Sequence, residues 1–186
     1  MKLYFLRHGQ SQANLDGLYA AQNETPLTEL GRQQAMQAGL GAMKLGIEVI
    51  ITSPQSRAHD TARIVSGQIN YPEDSILIDP ELREVSVGNL VGTTARGPEG
   101  YLEHESSPNG DEEIETLGQL IERMTLFSAK LENYSGKTVL LVGHNISGQL
   151  LKSILAGGMP QLDPTDTFPN GEIVEFEVVA LDGAQT

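Results

Sequence analysis

The stretch TVLLVGHN, Thr138 to Asn145, leaves the fewest folds open. Its first residues are apolar almost without interruption over the length of a strand, and such a strand must be covered on both faces. Cover on both faces means helices above and below a mainly parallel sheet. EVIITS (Glu48–Ser53) has the same character, and KLYFL (Lys2–Leu6) and SILID (Ser75–Asp79) are also of strand length. EIVEFEVV (Glu172–Val179) sets Ile173, Val174, Phe176 and Val178 against Glu172, Glu175 and Glu177, which predicts an edge strand with one wetter face.

Helical patterns fill the intervals. Thr28 is placed to cap a helix running to about Lys44, with Gly46 beyond its end. Pro54 suits the first turn of a helix through about Ile69. Asp111 is placed to cap a longer helix to about Asn133, with Ile114, Leu117, Leu120, Ile121, Met124 and Phe127 on its core side. A fourth helix is expected from just after His144 to about Leu155. Strands alternating with helices give an α/β domain, and 186 residues suit a single domain over 1–186. Residues 87–110, rich in Gly, Pro and polar side chains without a strong helical pattern, read as a loop or small cap over one end of the sheet.

The formal net charge of −13 argues against nucleic acid or an anionic membrane surface as a partner. No run approaches the roughly 18 apolar residues of a membrane span, and no signal peptide is read at the N-terminus. The absence of cysteine excludes thiolate metal sites and fits a cytoplasmic location.

In so acidic a chain the arginines are informative. Three strand-length runs end in reactive or anion-binding groups: Arg7-His8-Gly9, Ser53-Pro54 followed by Arg57, and His144-Asn145. In a parallel sheet the carboxyl ends share one edge, where ligands bind and helix N-termini favour negative charge. Arg7, Arg57, His8 and His144 would there surround a tetrahedral dianion such as a phosphoryl group. Each has a plainer reading: His144 as a satisfied core polar group, Arg57 as an ion-pair residue beside Asp60. A metal held by His8 and His144 is disfavoured, because the arginines would repel a cation. A neutral imidazole can attack phosphorus when fixed donors hold the developing charge, and a carboxyl can protonate the leaving alcohol. Glu81 and Glu84 lie in the right region for that, Glu84 being favoured.

Arg7-His8-Gly9-Gln10-Ser11 with Asn14, PLTELGRQQA (Pro26–Ala35), SPQSRAHDTA (Ser53–Ala62), LREVSVG around Glu84, PNGDEEIETL and VLLVGHN together resemble the histidine phosphatase superfamily, the phosphoglycerate-mutase-like fold. The resemblance implies a three-layer α/β/α sandwich with a mainly parallel sheet and an antiparallel edge strand. It implies His8 as the phosphorylated nucleophile with its ring oriented by the Gly9 carbonyl. Arg7, Arg57 and His144 would bind the phosphoryl group with help from Asn14, and Glu84 would serve as general acid and base. Ser11, Ala21 and Asn145 would lie near the substrate, with no metal or organic cofactor. Three departures bear on the substrate: Asn145 in place of a usual glycine, Ala20-Ala21 in place of a Gln-Gly pair, and Asn89-Leu90-Val91-Gly92 in place of Trp-Glu-Gly.

The expected activity is hydrolysis of a small-molecule phosphomonoester through a phosphohistidine. The alternatives are phosphoglycerate-mutase-type transfer, protein phosphohistidine phosphatase activity, and phosphate binding without catalysis. The short acidic cap suits water as acceptor and disfavours highly anionic substrates. Monomer and homodimer are both compatible with the sequence.

Overall fold

The computed structural model describes residues 1–105, 113–164 and 166–179. Its five strands are β1 (Lys2–Arg7), β2 (Val49–Thr52), β3 (Leu77–Ile78), β4 (Thr138–Gly143) and β5 (Ile173–Phe176). They form one sheet in the order β3-β2-β4-β1-β5. All neighbouring pairs are parallel except β1 with β5, where Leu3 faces Phe176 and Leu6 faces Ile173. This is the expected mainly parallel sheet with an antiparallel edge.

Alternation along each central strand feeds two cores. Leu3, Phe5, Ile51, Val139 and Leu141 point to one face, and Tyr4, Leu6, Ile50, Leu140 and Val142 to the other. The first face is covered by α5 (Leu117–Lys130) and α6 (Asn145–Leu155), through residues such as Met124, Phe127, Leu150 and Leu151. The second is covered by α2 (Glu29–Ala42) and α3 (Ser56–Gln68), whose contacts are small: Ala38, Ala42, Ala58, Ala62 and Val65. Together these make the three-layer α/β/α sandwich. Gly148 lets α6 approach β1, since a Cβ there would come within 2.3 Å of the Phe5 ring.

Several boundaries differ from the sequence expectation. Thr28 caps α2 as expected, accepting from the Gly31 N–H. Pro54 lies ahead of α3 rather than in its first turn, and Gln55 is the N-cap. The cap expected at Asp111 lies outside the described residues. Helix α5 is opened by Thr116, whose hydroxyl and Gln119 form a capping box. The third and fifth strands are shorter than expected. Two helices were not foreseen: α1 (Gln12–Asp16) and, inside the segment expected to be irregular, α4 (Gly97–Glu105). Backbone bonds Tyr19 N to Thr93 O, Gly92 N to Tyr19 O and Ala95 N to Gly17 O fasten this segment to residues 17–19.

Candidate active site

Strand β1 delivers His8 to the carboxyl edge of the sheet, where the imidazole is 3% exposed. Its Nδ1 lies 2.7 Å from the Gly9 carbonyl oxygen, which can only accept, so Nδ1 carries the proton. Its Nε2 receives the Arg57 Nε–H at 3.2 Å, so Nε2 must present its lone pair. Two neighbours that cannot change roles thus select one tautomer. Burial, then the charges of Arg57 and Arg7, hold the ring well below the ordinary histidine pKa, so it is neutral at neutral pH. Gly9 is also steric: a Cβ there would lie 2.2 Å from the Gly31 carbonyl oxygen, so the loop can lie directly on the start of α2.

Arg57, in the first turn of α3, is 2% exposed. Beyond its bond to His8, Nη1 donates to Asn23 O at 2.9 Å and Nη2 to Ala21 O at 2.6 Å. Burial lowers its pKa to about 10, which still leaves it cationic at neutral pH. Ala21 has φ +47°, in the region glycine adopts most easily. Its carbonyl is held in that pose by two buried donors, Arg57 and the Gln55 amide at 2.7 Å. The other end of the Gln55 amide accepts the Glu84 backbone N–H at 2.7 Å. Gln55 therefore ties the Ala21 turn to the Glu84 segment; its place before Arg57 gave no hint of that.

Glu84 caps α6. Its Oε1 accepts from Val85 N (3.0 Å) and Ser147 N (2.9 Å), and its Oε2 from Ile146 N (3.2 Å). An anionic group at a helix N-terminus meets unpaired N–H groups and the positive end of the dipole. Asn145 does not cap the helix: its Oδ1 accepts from Phe168 N at 2.9 Å while the residue lines the cavity. His144 is 1% exposed, with Nε2 2.7 Å from Ser53 Oγ and its ring edge-on to His8 at 5.2 Å. It lies behind His8 rather than in the cavity wall. Burial, then Arg57, hold it too well below the ordinary histidine pKa.

A supporting loop at residues 166–170 escaped the sequence reading. Arg7 Nη1 donates to Phe168 O at 2.6 Å, and Asn170 Nδ2 donates to His8 O at 2.8 Å and to Asn14 Oδ1 at 3.3 Å. The turn-forming PNG triplet before the last strand was the signal that could have marked it. Asn14 lines the cavity, and its Oδ1 is already occupied by Asn170 and Ser11, so its amide nitrogen is the end left to bind a ligand. Ser11 does not reach the cavity: it is the buried N-cap of α1, bonded reciprocally with Asn14.

The structure thus brings Arg7, His8, Asn14, Ala21, Arg57, Glu84 and Asn145 onto one cavity of about 100 Å³. Two buried side-chain nitrogens lack partners, Arg7 Nε and His144 Nδ1. Among the described residues no three His, Asp or Glu side chains cluster as metal ligands. A neutral imidazole lone pair, two guanidinium groups and a carboxyl at one small cavity can attack, hold and protonate an anionic ester.

Residues 3–180 match the family model of the histidine phosphatase superfamily (branch 1). The chain is 34% identical to "Probable phosphoglycerate mutase GpmB" of Escherichia fergusonii over 169 residues, spanning 86% of this chain and 76% of that protein. The GpmB protein of Cronobacter sakazakii shows the same identity and cover. Among solved structures, the α-ribazole phosphatase of Shigella flexneri superposes with a TM-score of 0.81 at 26% identity, over 94% of this chain and 89% of that one. YhfR of Bacillus stearothermophilus superposes with a TM-score of 0.80 at 26% identity, over 96% of this chain and 92% of that one.

Proposed function

The chain belongs to the histidine phosphatase superfamily, and from that premise we propose that it hydrolyses a phosphomonoester by way of a phosphohistidine on His8. The observation that carries the reading is the fixed tautomer of His8, whose unprotonated Nε2 accepts from Arg57 at the edge of the cavity that His8 lines. When the Arg57 Nε–H turns from Nε2 to a phosphoryl oxygen, the freed lone pair attacks phosphorus. The bond to the ester oxygen breaks, and the electron pair leaves with the alcohol. Arg7 and Arg57 hold the charge on the equatorial oxygens, with Asn14 as a further donor and His144 behind. Glu84 gives its proton to the departing oxygen. Its Oε2, with one donor against two on Oε1, is the oxygen with room for that proton. Water then attacks the phosphohistidine, Glu84 takes its proton, the P–N bond breaks, and inorganic phosphate leaves with His8 restored.

A mutase reading has the GpmB relatives behind it. A mutase must keep water from its phosphohistidine while the substrate turns, and the described cover here is one short helix, α4, with the segment leading to it. Hydrolysis is the reading we adopt. The test is a phosphate-release screen over phosphomonoesters beside a coupled assay interconverting 2- and 3-phosphoglycerate. We expect release by the wild type and none by His8→Ala; undiminished release by His8→Ala sinks the mechanism. Glu84→Gln should slow alkyl phosphates by roughly 10²-fold or more and aryl phosphates, whose leaving groups need no proton, much less. Equal slowing of both would remove Glu84 from the acid role.

A further inference from the structure

The chain has twelve lysines and arginines, and the described residues include all of them, so each positive charge can be placed. Seven are paired with carboxylates: Arg63, Arg83, Arg96, Arg123, Lys130, Lys137 and Lys152. Lys2, Arg32 and Lys44 are exposed and outside the cavity. Only Arg7 and Arg57 line it. Both are largely committed: Arg57 spends its three nitrogens on His8, Asn23 and Ala21, and Arg7 spends Nη1 on Phe168. What remains of their donor capacity serves one phosphoryl group. A second anionic group held inside the cavity would meet no further lysine or arginine there; Arg96, between the mouth residues Ala95 and Gly97, is already paired with Glu99 and Glu103. The N-terminus of α4 at the rim offers no substitute, because Pro98 has no N–H and Glu99 already places a carboxylate in the first turn. Beside the reacting groups the wall carries the apolar side chains Leu18, Val85, Val87 and Ile146, together with Tyr19 and the neutral amide of Asn145.

Resting on the phosphoryl-site reading above, we infer that the substrate is the phosphate ester of an uncharged alcohol carrying an apolar group next to the ester oxygen. Phosphoglycerates and bisphosphates are disfavoured by the same distribution of charge. A cavity of about 100 Å³ encloses only the phosphoryl group and the first atoms of the alcohol, far less than the roughly 300–1,000 Å³ of a cleft that swallows a drug-sized ligand. The remainder of the alcohol must therefore project past Ala95 and Gly97 at the mouth.

The test separates charge from turnover by using phosphonates, which the enzyme cannot hydrolyse. Calorimetric titration of the wild type with 3-phosphonopropanamide and 3-phosphonopropanoate compares two ligands that differ in one charge. We expect the amide to bind at least tenfold more tightly, with the gap narrowing as salt rises. Ala95 is exposed at the mouth, so Ala95→Lys supplies the missing cation without disturbing the core. It should narrow the gap at least threefold. In the series from ethyl- to butylphosphonate, each methylene that enters the apolar wall should tighten binding roughly threefold to fourfold. Equal or tighter binding of the carboxylate by the wild type overturns the inference, as does a gap that Ala95→Lys does not move or a flat alkyl series. Failure of every phosphonate to bind would instead overturn the phosphoryl-site reading beneath it.

Discussion

Two buried imidazoles set the acid limit of this fold. His8 and His144 are held well below the ordinary histidine pKa, by burial first and by the arginines second. Below about pH 6.5 the unfolded chain protonates them while the folded chain does not. The unfolded state then binds more protons, so stability is complete above about pH 6.5 and falls as pH drops below it. Each histidine contributes a slope of about 1.4 kcal/mol per pH unit until its folded-state value is reached. Urea unfolding at pH 7.5, 6.5 and 5.5 should show this loss, and His144→Gln should remove about half of the slope. Gln55 offers a second test. Gln55→Leu keeps the shape but leaves the buried Glu84 N–H unpaired, at a cost of about 1–3 kcal/mol. Because Glu84 is then less well held, alkyl phosphates should lose more kcat than aryl phosphates; a variant with unchanged kcat on both would confine Gln55 to stability. That Arg7, His8, Arg57 and Glu84 meet at one cavity was legible in the sequence because each sits at a strand end or beside a motif, whereas His144, expected on the phosphoryl group, lies behind His8. Gln55, Phe168 and Asn170 were not legible, since they act through a backbone carbonyl or an amide bridge between distant segments, which leaves no pattern in the chain.

At the scale of elements, the segment leading to Glu84 is clamped from α5. Arg123, 5% exposed, meets Glu115 through two bonds of 2.6 and 2.7 Å and donates Nη1 to the carbonyls of Glu81 (2.5 Å) and Arg83 (3.0 Å). Removing one partner of a buried pair strands the other charge, so Arg123→Ala should destabilise the fold by about 3–5 kcal/mol. Urea unfolding would measure it, and Arg123→Ala combined with Glu115→Ala should cost less than the two single changes summed. The long elements were readable for the same physical reason that they are stable: β1, β2 and β4 are buried on both faces, and α2, α3 and α6 carry apolar or small residues at helical spacing. The short ones were not. Five residues in α1 cannot display a helical period, and α4, GPEGYLEHE, carries Gly and Pro that read as loop. What makes α4 a helix is tertiary: Tyr101 is fully buried, with its hydroxyl bonded to Glu115 O at 2.8 Å.

For the whole molecule, the strand order has a consequence for biosynthesis. β1 is made first, yet both of its neighbours, β4 and β5, come from the last third of the chain. On the ribosome the segment LYFL therefore waits without a partner on either edge until residues 138–176 have emerged. The loop at 166–170 that braces Arg7, His8 and Asn14 arrives in the same late stretch. A nascent chain stalled before that point carries His8 but neither His144 nor the loop behind it, and holds an apolar strand open to wrong pairing. The completed cavity and protection from wrong pairing are thus acquired together, once residues 138–176 have been made.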